Sequence, residues 1–202
     1  MGRTRQFEIE EALDRATRQF WAKGYAGTTL DELTEAMGIN RPSLYREFGN
    51  KETLFARVVE HFEATYLTFV REALASKTPA LIIRRLLEGT VRVCFGTGTP
   101  RGSLLTHGAP AGSPGDERVR LLLAERIEAY EHALAASLTL SRAGDTALAG
   151  GDCSLLASFL ITHCCGIALR AKAGVGQARL LAEVEFLTAV LGSGTMERPM
   201  PR

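Results

Sequence analysis

Residues 24–55 read GYAGTTLDELTEAMGINRPSLYREFGNKETLF, and this stretch carries the clearest structural signals in the sequence. It contains two short segments whose apolar residues recur at helical spacing, separated by a turn that begins at Gly38. In the second segment Leu44 and Phe48 share one face. Glycine permits the backbone that a tight turn between two helices requires. The spacing therefore predicts a helix-turn-helix over residues 28–48.

Capping residues stand where the two helices are predicted to begin. Thr28 with Asp31, or Thr29 with Glu32, fits a capping arrangement at the start of the first helix. Asn40 stands in the same position before the second. The boundaries of both helices are thus predicted independently of their apolar faces.

The outer face of the second helix suits a DNA major groove. With Leu44 and Phe48 inward, a step of about 100° per residue turns the remaining side chains outward. Arginine can form two hydrogen bonds with guanine, and serine and tyrosine hydroxyls can bind phosphate. The outward group is Arg41, Pro42, Ser43, Tyr45 and Arg46. The spacing alone also fits an ordinary pair of antiparallel helices, but this surface favours a recognition helix.

Composition describes a soluble globular chain. Its 202 residues are 46% hydrophobic and 23% charged, with a formal net charge of +1. This charge argues against a protein that coats nucleic acid, so a DNA site must depend on where the basic residues lie. No uncharged apolar run is long enough for a membrane span, and the N-terminus lacks the core of a signal peptide. We predict a cytoplasmic protein with no membrane partner.

The remainder of the chain also shows helical periodicity. Beyond the first helix and the two of the motif, a long fourth helix is predicted from the cap at Asn50 to about Ser76. Further helices are predicted at about 79–95, 117–140, 152–173 and 177–191, with one helical turn within 101–107. No run has strand periodicity. The predicted fold class is all-α.

Residues 24–55 resemble the DNA-binding domain of the tetracycline-repressor (TetR) family. The shared features are a Gly-aromatic start, paired threonines, a Gly-hydrophobic turn, Leu-Tyr-x-x-Phe and Lys-Glu-x-Leu. Two positions depart from the pattern: Thr34 replaces a usual alanine, and Glu47 stands where an aromatic residue or histidine is common. The resemblance implies DNA contacts at Thr29, Arg41, Pro42, Ser43, Tyr45, Arg46 and Lys51.

The same resemblance implies two domains. Residues 1–50 are expected to form a three-helix DNA-binding domain with the helix-turn-helix, and residues 51–192 a helical ligand-binding and dimerisation domain. The fourth helix, about 51–76, would link them. Residues 193–202 are expected to form a flexible polar tail.

The resemblance also implies a homodimer that binds a pseudo-palindromic operator. Its two subunits would meet through helices near 152–173 and 177–191. Both segments are apolar around most of their circumference, so each must be covered on several sides. That pattern would equally suit helices that fill the core of their own domain.

A small effector is expected to bind within the second domain. An apolar wall with histidine and tyrosine as polar groups suits a small hydrophobic or aromatic molecule. For each candidate, ordinary core packing is the alternative interpretation. The candidates are Phe62, Tyr66, Phe69, Phe95, Leu104, His107, Tyr130, Phe159 and His163.

No cofactor or metal is predicted. The cysteines, Cys94, Cys153, Cys164 and Cys165, lack zinc-finger spacing and are interpreted as free thiols. Consecutive residues of a helix point about 100° apart, so residues 163–165 cannot all bind one ion.

The predicted function is that of a repressor released from its operator by a small, mostly apolar effector. Two alternatives stay open: a constitutive dimeric DNA-binding protein without a ligand, and a helical enzyme. The sequence has no nucleophile elbow, phosphate-binding glycine loop or H-E-x-x-H motif, so no enzyme is predicted.

Overall fold

The computed structural model describes residues 2–107, 116–141 and 152–192. These residues form ten helices and no strand, which confirms the predicted all-α fold class. The predicted tail, 193–202, lies outside them. In chain order the helices are α1 Gly2–Lys23, α2 Leu30–Met37, α3 Arg41–Phe48, α4 Lys51–Tyr66, α5 Thr68–Leu74, α6 Pro79–Cys94, α7 Leu104–His107, α8 Asp116–Ser141, α9 Cys153–Lys172 and α10 Gln177–Gly192.

The start of α2 is fixed by one of the two predicted capping pairs. Thr29 accepts a hydrogen bond from the amide of Glu32, whose carboxylate accepts one from the amide of Thr29. A hydrogen bond from Lys23 and those from Thr29 lower the pKa of Glu32 to about 2. Thr28 is instead buried, and its hydroxyl donates to the carbonyl of Gly24. The capping box is therefore Thr29–Glu32.

The first of two hydrophobic cores joins the N-terminal helices to α4. Phe20 of α1 packs edge-on against Phe55, with ring centroids 5.0 Å apart, and Trp21 packs against Phe62 at 4.9 Å. Leu104 of α7 and residues near the start of α8 complete this core. Because it draws residues from both predicted domains, α1 and α4 are held against the C-terminal part of the chain.

The prediction of one uninterrupted fourth helix to about Ser76 is wrong. The helix ends at Tyr66, and a new helix begins at Thr68 after Leu67, which has φ −106° and ψ 21°. The break turns α5 onto α6, where Phe69 packs so closely that a Cβ on Gly89 would lie 2.0 Å from its ring. Only a glycine there leaves room for the ring.

The second core lies within the C-terminal part. It is built from α5, α6, the latter half of α8, α9 and α10, with Ile82, Leu87, Leu134 and Leu160 among its buried members. It leaves a set of large apolar side chains exposed on α9 and α10: Leu155, Phe159, Leu169, Phe186 and Val190.

One helix among the described residues, Cys153–Lys172, is long and apolar enough to cross a membrane by length and composition alone. Core helices of soluble proteins pass the same test. Here one face of the helix packs into the second core through residues such as Ala157 and Leu160. Its other face carries part of the exposed apolar set.

Candidate nucleic-acid interface and apolar cavity

Helix α3 is anchored by its two inward residues. Asn40 caps it by accepting a hydrogen bond from the amide of Ser43 at 2.9 Å, and Pro42 lies in the first turn. Leu44 is 0% and Phe48 4% exposed, both in the first core. The predicted inner face is therefore confirmed.

The outer face of α3 points to solvent. The side chains of Arg41 and Arg46 are 54% and 66% exposed, and Tyr45 is 50% exposed. Pro42 is also exposed, and Ser43 is half-buried. The outer face of α3 thus presents two guanidinium groups and a phenol to solvent, while its inner face is anchored in the first core.

The two other predicted DNA-contacting residues flank this surface in sequence. Thr29 is exposed at the N-terminus of α2, where helix amides favour an anion such as phosphate. Lys51 begins α4, with its ammonium 4.3 Å from the ring centroid of Tyr25. A rigid ring therefore holds this lysine at the start of the helix.

Both arginines of α3 are paired with carboxylates. Arg41 donates from Nε and Nη2 to Oδ1 of Asp31 on α2, at 3.0 and 2.7 Å. Arg46 donates from Nε to its neighbour Glu47 at 3.1 Å. Glu47, one of the departures from the family pattern, therefore occupies the guanidinium of Arg46. Exposed pairs of this kind contribute only about 0–1 kcal/mol, so a duplex can displace them.

Replacing Asp31 with asparagine is expected to strengthen DNA binding by up to about fivefold, since an exposed pair is worth about 0–1 kcal/mol. The change keeps the shape of the side chain, frees Arg41 and removes a charge that phosphates repel. Fluorescence anisotropy with a labelled duplex measures the affinity.

Glu35→Gln is the matched control for Asp31→Asn, because it removes the same charge from an exposed position of the same helix. It should change affinity less than Asp31→Asn. Weaker binding by the Asp31 variant would show that the carboxylate orients Arg41 on DNA rather than competing for it.

A cavity lies between the α4–α5 break and helices α6 to α9. It comprises about 700 Å³ of atom-free space, part of it open to solvent. Its described lining contains no Asp, Glu, Lys, Arg or His. The apolar wall is Leu67, Phe69, Val70, Leu74, Leu86, Val93, Leu105, Ile127, Leu134 and Ile161; hydroxyls come from Thr90, Ser103, Thr106 and Tyr130, and thiols from Cys94, Cys164 and Cys165.

Of the nine predicted ligand-contacting residues, Phe69 and Tyr130 line this cavity. Phe62 and Leu104 are instead fully buried in the first core. The hydroxyl of Tyr66 donates to Asp14 on α1 at 2.6 Å. These three side chains support the N-terminal helices instead of lining the cavity.

Three more of the predicted ligand-contacting residues, Phe95, Phe159 and His163, lie outside the lining. The ring of Phe95 faces the guanidinium of Arg101, 4.4 Å from its centroid. Phe159 stacks on His163 along α9, with ring centroids 6.3 Å apart. His107 is the last residue of α7, and its side chain lies outside the described residues.

Sequence reasoning missed most of the cavity wall, above all Leu67, Thr90 and Val93. Periodicity marks them as inner-face residues but does not separate a wall from a filled core. For the cysteines, the sequence predicted free thiols but no place in the cavity wall.

The thiols of the cavity are kept neutral. Burial raises the pKa of Cys94 and of Cys164 to about 12, and that of Cys165 also rises because of burial. The hydroxyl of Thr90 contacts the sulfur of Cys164 at 3.4 Å. Because the thiolate is the reactive form, these neutral thiols are unreactive. They pack as small apolar side chains. Within the described residues, no three His, Cys, Asp or Glu side chains are grouped to hold a metal ion.

The chain is similar to known bacterial regulators. The family model described as bacterial regulatory proteins, tetR family, matches residues 12–58. The HTH-type transcriptional repressor ComR of Escherichia coli (strain K12) is 29% identical over 183 residues, 89% of this chain and 87% of its own.

Two solved structures extend the similarity over the fold. A cysteine-substituted form of the TetR family transcriptional regulator CifR, solved with a 26-bp operator duplex, has a TM-score of 0.84 and 35% identity, covering 89% of this chain and 95% of that one. A TetR transcriptional regulator from Rhodococcus sp. RHA1 has a TM-score of 0.59 and 32% identity, covering 89% and 97%. All three relatives are described as transcriptional regulators. The exposed α3, the all-helical architecture and these similarities along nearly the whole chain place the protein in the TetR family of bacterial transcriptional regulators.

Proposed function

We propose that this DNA-binding transcriptional repressor acts in the cytoplasm as a homodimer on a pseudo-palindromic operator, and that a small, uncharged, mostly apolar molecule releases it. The observation that carries the DNA-binding proposal is α3, whose Leu44 and Phe48 are buried while Arg41 and Arg46 face solvent. Such a helix fits a major groove and offers the side chains that most often read guanine.

The relatives support the same function. CifR is solved in complex with operator DNA, and ComR is named a transcriptional repressor. By analogy, we assign DNA contacts in this chain to Thr29, Arg41, Pro42, Ser43, Tyr45, Arg46 and Lys51. We also propose that residues 1–50 bind DNA and that residues 51–192 bind the effector and dimerise.

Dimerisation is proposed through the exposed apolar side chains of α9 and α10. Leu155, Phe159 and Leu169 are 71%, 48% and 60% exposed, and they recur along one side of α9 with Gly166 between them. A Cβ on Gly166 would meet nothing within 4 Å, so this glycine leaves space for a second helix. Phe186 of α10 is 72% exposed. A second copy of the chain would cover both helices, and binding of the dimer to successive major grooves would need its two α3 helices about 34 Å apart, one turn of DNA.

The effector class follows from the cavity. Its described lining lacks a charged side chain, and an ion moved there would lose hydration without gaining a partner. Burial, followed by the charge of Glu63 and the hydrogen bond to it, raises the pKa of Tyr130, so its hydroxyl stays protonated and donates to the Glu63 carboxylate, while its oxygen can accept a hydrogen bond from a ligand. The neutral thiols do not supply a nucleophile. A neutral apolar molecule with few polar groups fits this wall best.

Selection of bound duplexes from a random pool tests the DNA-binding function. The protein should enrich two-fold symmetric sites whose half-sites are centred about 10 bp apart. Failure to enrich any duplex, or enrichment of a single asymmetric site, would contradict the proposed dimer on a palindrome.

The effector proposal predicts a clear preference between two dyes of the same skeleton. N-phenyl-1-naphthylamine is neutral, and 8-anilinonaphthalene-1-sulfonate adds one sulfonate. We expect the neutral dye to bind at least about tenfold more tightly, since burying an unpaired anion is unfavourable. Fluorescence titration measures both affinities.

Two tryptophan variants separate cavity binding from surface binding of the neutral dye. Val93→Trp fills the cavity and should weaken binding at least about tenfold, whereas Arg92→Trp places the same side chain one residue earlier at an exposed position. Equal binding by both variants, or tighter binding of the sulfonate, would contradict this site. Either result would also favour the alternative hypothesis of a DNA-binding protein that has no effector.

A further inference from the structure

The last turn of α4 lies between the cavity and the N-terminal helices. Leu67, the residue after α4, lines the cavity, and its amide donates to the carbonyl of Glu63 at 3.3 Å. One residue earlier, Tyr66 points to the other side and packs on Trp21 of α1, with ring centroids 5.2 Å apart. Adjacent residues therefore contact the ligand space and the DNA-binding helices.

Tyr66 is tied to α1 by a short hydrogen bond. Its hydroxyl donates to Oδ1 of Asp14 at 2.6 Å. His61, one turn earlier on α4, approaches the same oxygen at 3.3 Å. Arg18 pairs with the other carboxylate oxygen at 2.9 Å. We call these four residues, Asp14, Arg18, His61 and Tyr66, the α1–α4 junction.

The junction reaches the cavity by a second route. Arg18 donates from Nη1 to the carbonyl of Gly98 at 3.0 Å. Gly98 belongs to the segment between α6 and α7, and that segment also contains Ser103 of the cavity wall. A shift of either wall segment therefore changes the surroundings of the same carboxylate.

Near neutral pH, Asp14 of the junction is ionised and Tyr66 is protonated. Burial alone would raise the pKa of Asp14, but the hydrogen bonds from Tyr66 and His61 and the charge of Arg18 together lower it. Burial, followed by the bond to Asp14, raises the pKa of Tyr66 to about 12. Near neutral pH the tyrosine therefore donates to a charged carboxylate, the stronger kind of hydrogen bond.

We propose that the Tyr66–Asp14 hydrogen bond transmits occupancy of the cavity to the DNA-binding helices, with Leu67 as the contact that moves. The inference rests on the effector role proposed above and adds the route of regulation. A ligand that displaces Leu67 shifts the last turn of α4, and Tyr66 carries that shift to α1, against which α2 packs. Tyr66 and Asp14 are positioning residues, since neither lines the cavity nor lies on α3.

The test measures coupling between two ligands. N-phenyl-1-naphthylamine is the probe, and operator affinity is measured by anisotropy of a far-red label with and without saturating dye. In the unmodified protein the dye should weaken operator binding by about 5-fold to 150-fold. In Tyr66→Phe the dye should bind as before, because Tyr66 is absent from the described cavity lining, but its effect on the operator should fall below about twofold.

Variants of Asp14 give the matched comparison. Asp14→Asn keeps an oxygen that accepts the tyrosine hydrogen bond and should retain more of the coupling, whereas Asp14→Ala should lose as much as Tyr66→Phe. The double variant Tyr66→Phe/Asp14→Ala should lose little more than either single variant, as expected for two partners in one interaction.

The outcomes separate the two claims. If the dye binds neither the unmodified protein nor its variants while operator binding is normal, the effector site fails and this inference fails with it. If the dye binds and weakens operator binding equally in the unmodified protein and in Tyr66→Phe, the effector site stands and the Tyr66–Asp14 route is wrong.

Discussion

Replacing both Arg41 and Arg46 with alanine should weaken operator binding by at least about 30-fold at moderate salt, because each base-contacting arginine contributes about 1–3 kcal/mol. Both side chains are more than half exposed, so the fold should tolerate their loss. Anisotropy titrations on a selected operator measure the affinity, and thermal unfolding confirms that the variant is folded.

The single variants should differ from each other. Arg41 lies at the N-terminal end of α3, where a recognition helix first meets base edges, so Arg41→Ala is expected to relax the sequence preference more than Arg46→Ala. Arg84→Ala, which removes a half-exposed arginine from α6, is the control and should bind normally. Normal operator affinity in the double variant would show that α3 does not read DNA.

The second large effect is expected from the proposed dimer interface. In Leu155→Glu/Phe186→Glu, dimerisation would bury unpaired carboxylates, which is strongly unfavourable. Sedimentation velocity at micromolar concentration should therefore show a monomer. Operator affinity should fall by more than about 100-fold, since two half-sites are no longer bound by one linked molecule.

Leu140→Glu is the matched control for the interface, because Leu140 is 81% exposed at the end of α8 and lies outside α9 and α10. This variant should stay dimeric and bind the operator normally. A dimer in the double glutamate variant would show that the interface lies elsewhere. A monomer in Leu140→Glu would extend the interface to α8.

The N-terminal helices were predictable because their signals are local. The cap at Asn40, Pro42 in the first turn, and the pair Leu44 and Phe48 define α3 without reference to distant residues. The exposure of Arg46 then follows from helical geometry alone. The ion pair between Arg41 and Asp31 depends on how α2 crosses α3. No local sequence pattern predicts that crossing.

The break at Leu67 was not predictable from periodicity. Apolar residues continue at helical spacing from Phe62 through Phe69, and neither proline nor glycine marks the break. The turn after the break brings Phe69 against Gly89, about 20 residues away, which no local pattern indicates. The cavity beside this break consequently escaped prediction as well. Aromatic residues that were expected in its wall, such as Phe62, are instead buried in the first core with the N-terminal helices.

Methylation interference on the selected operator tests the central claim, that α3 reads DNA in the major groove. Dimethyl sulfate modifies guanine N7 in the major groove and adenine N3 in the minor groove, so one experiment reports which groove is read. We predict that guanine methylation blocks binding at symmetric positions in two half-sites about one helical turn apart, and that Arg41→Ala loses sensitivity at one symmetric pair. Interference confined to adenine N3, or a pattern unchanged by Arg41→Ala, would contradict the assignment of α3 as the recognition helix.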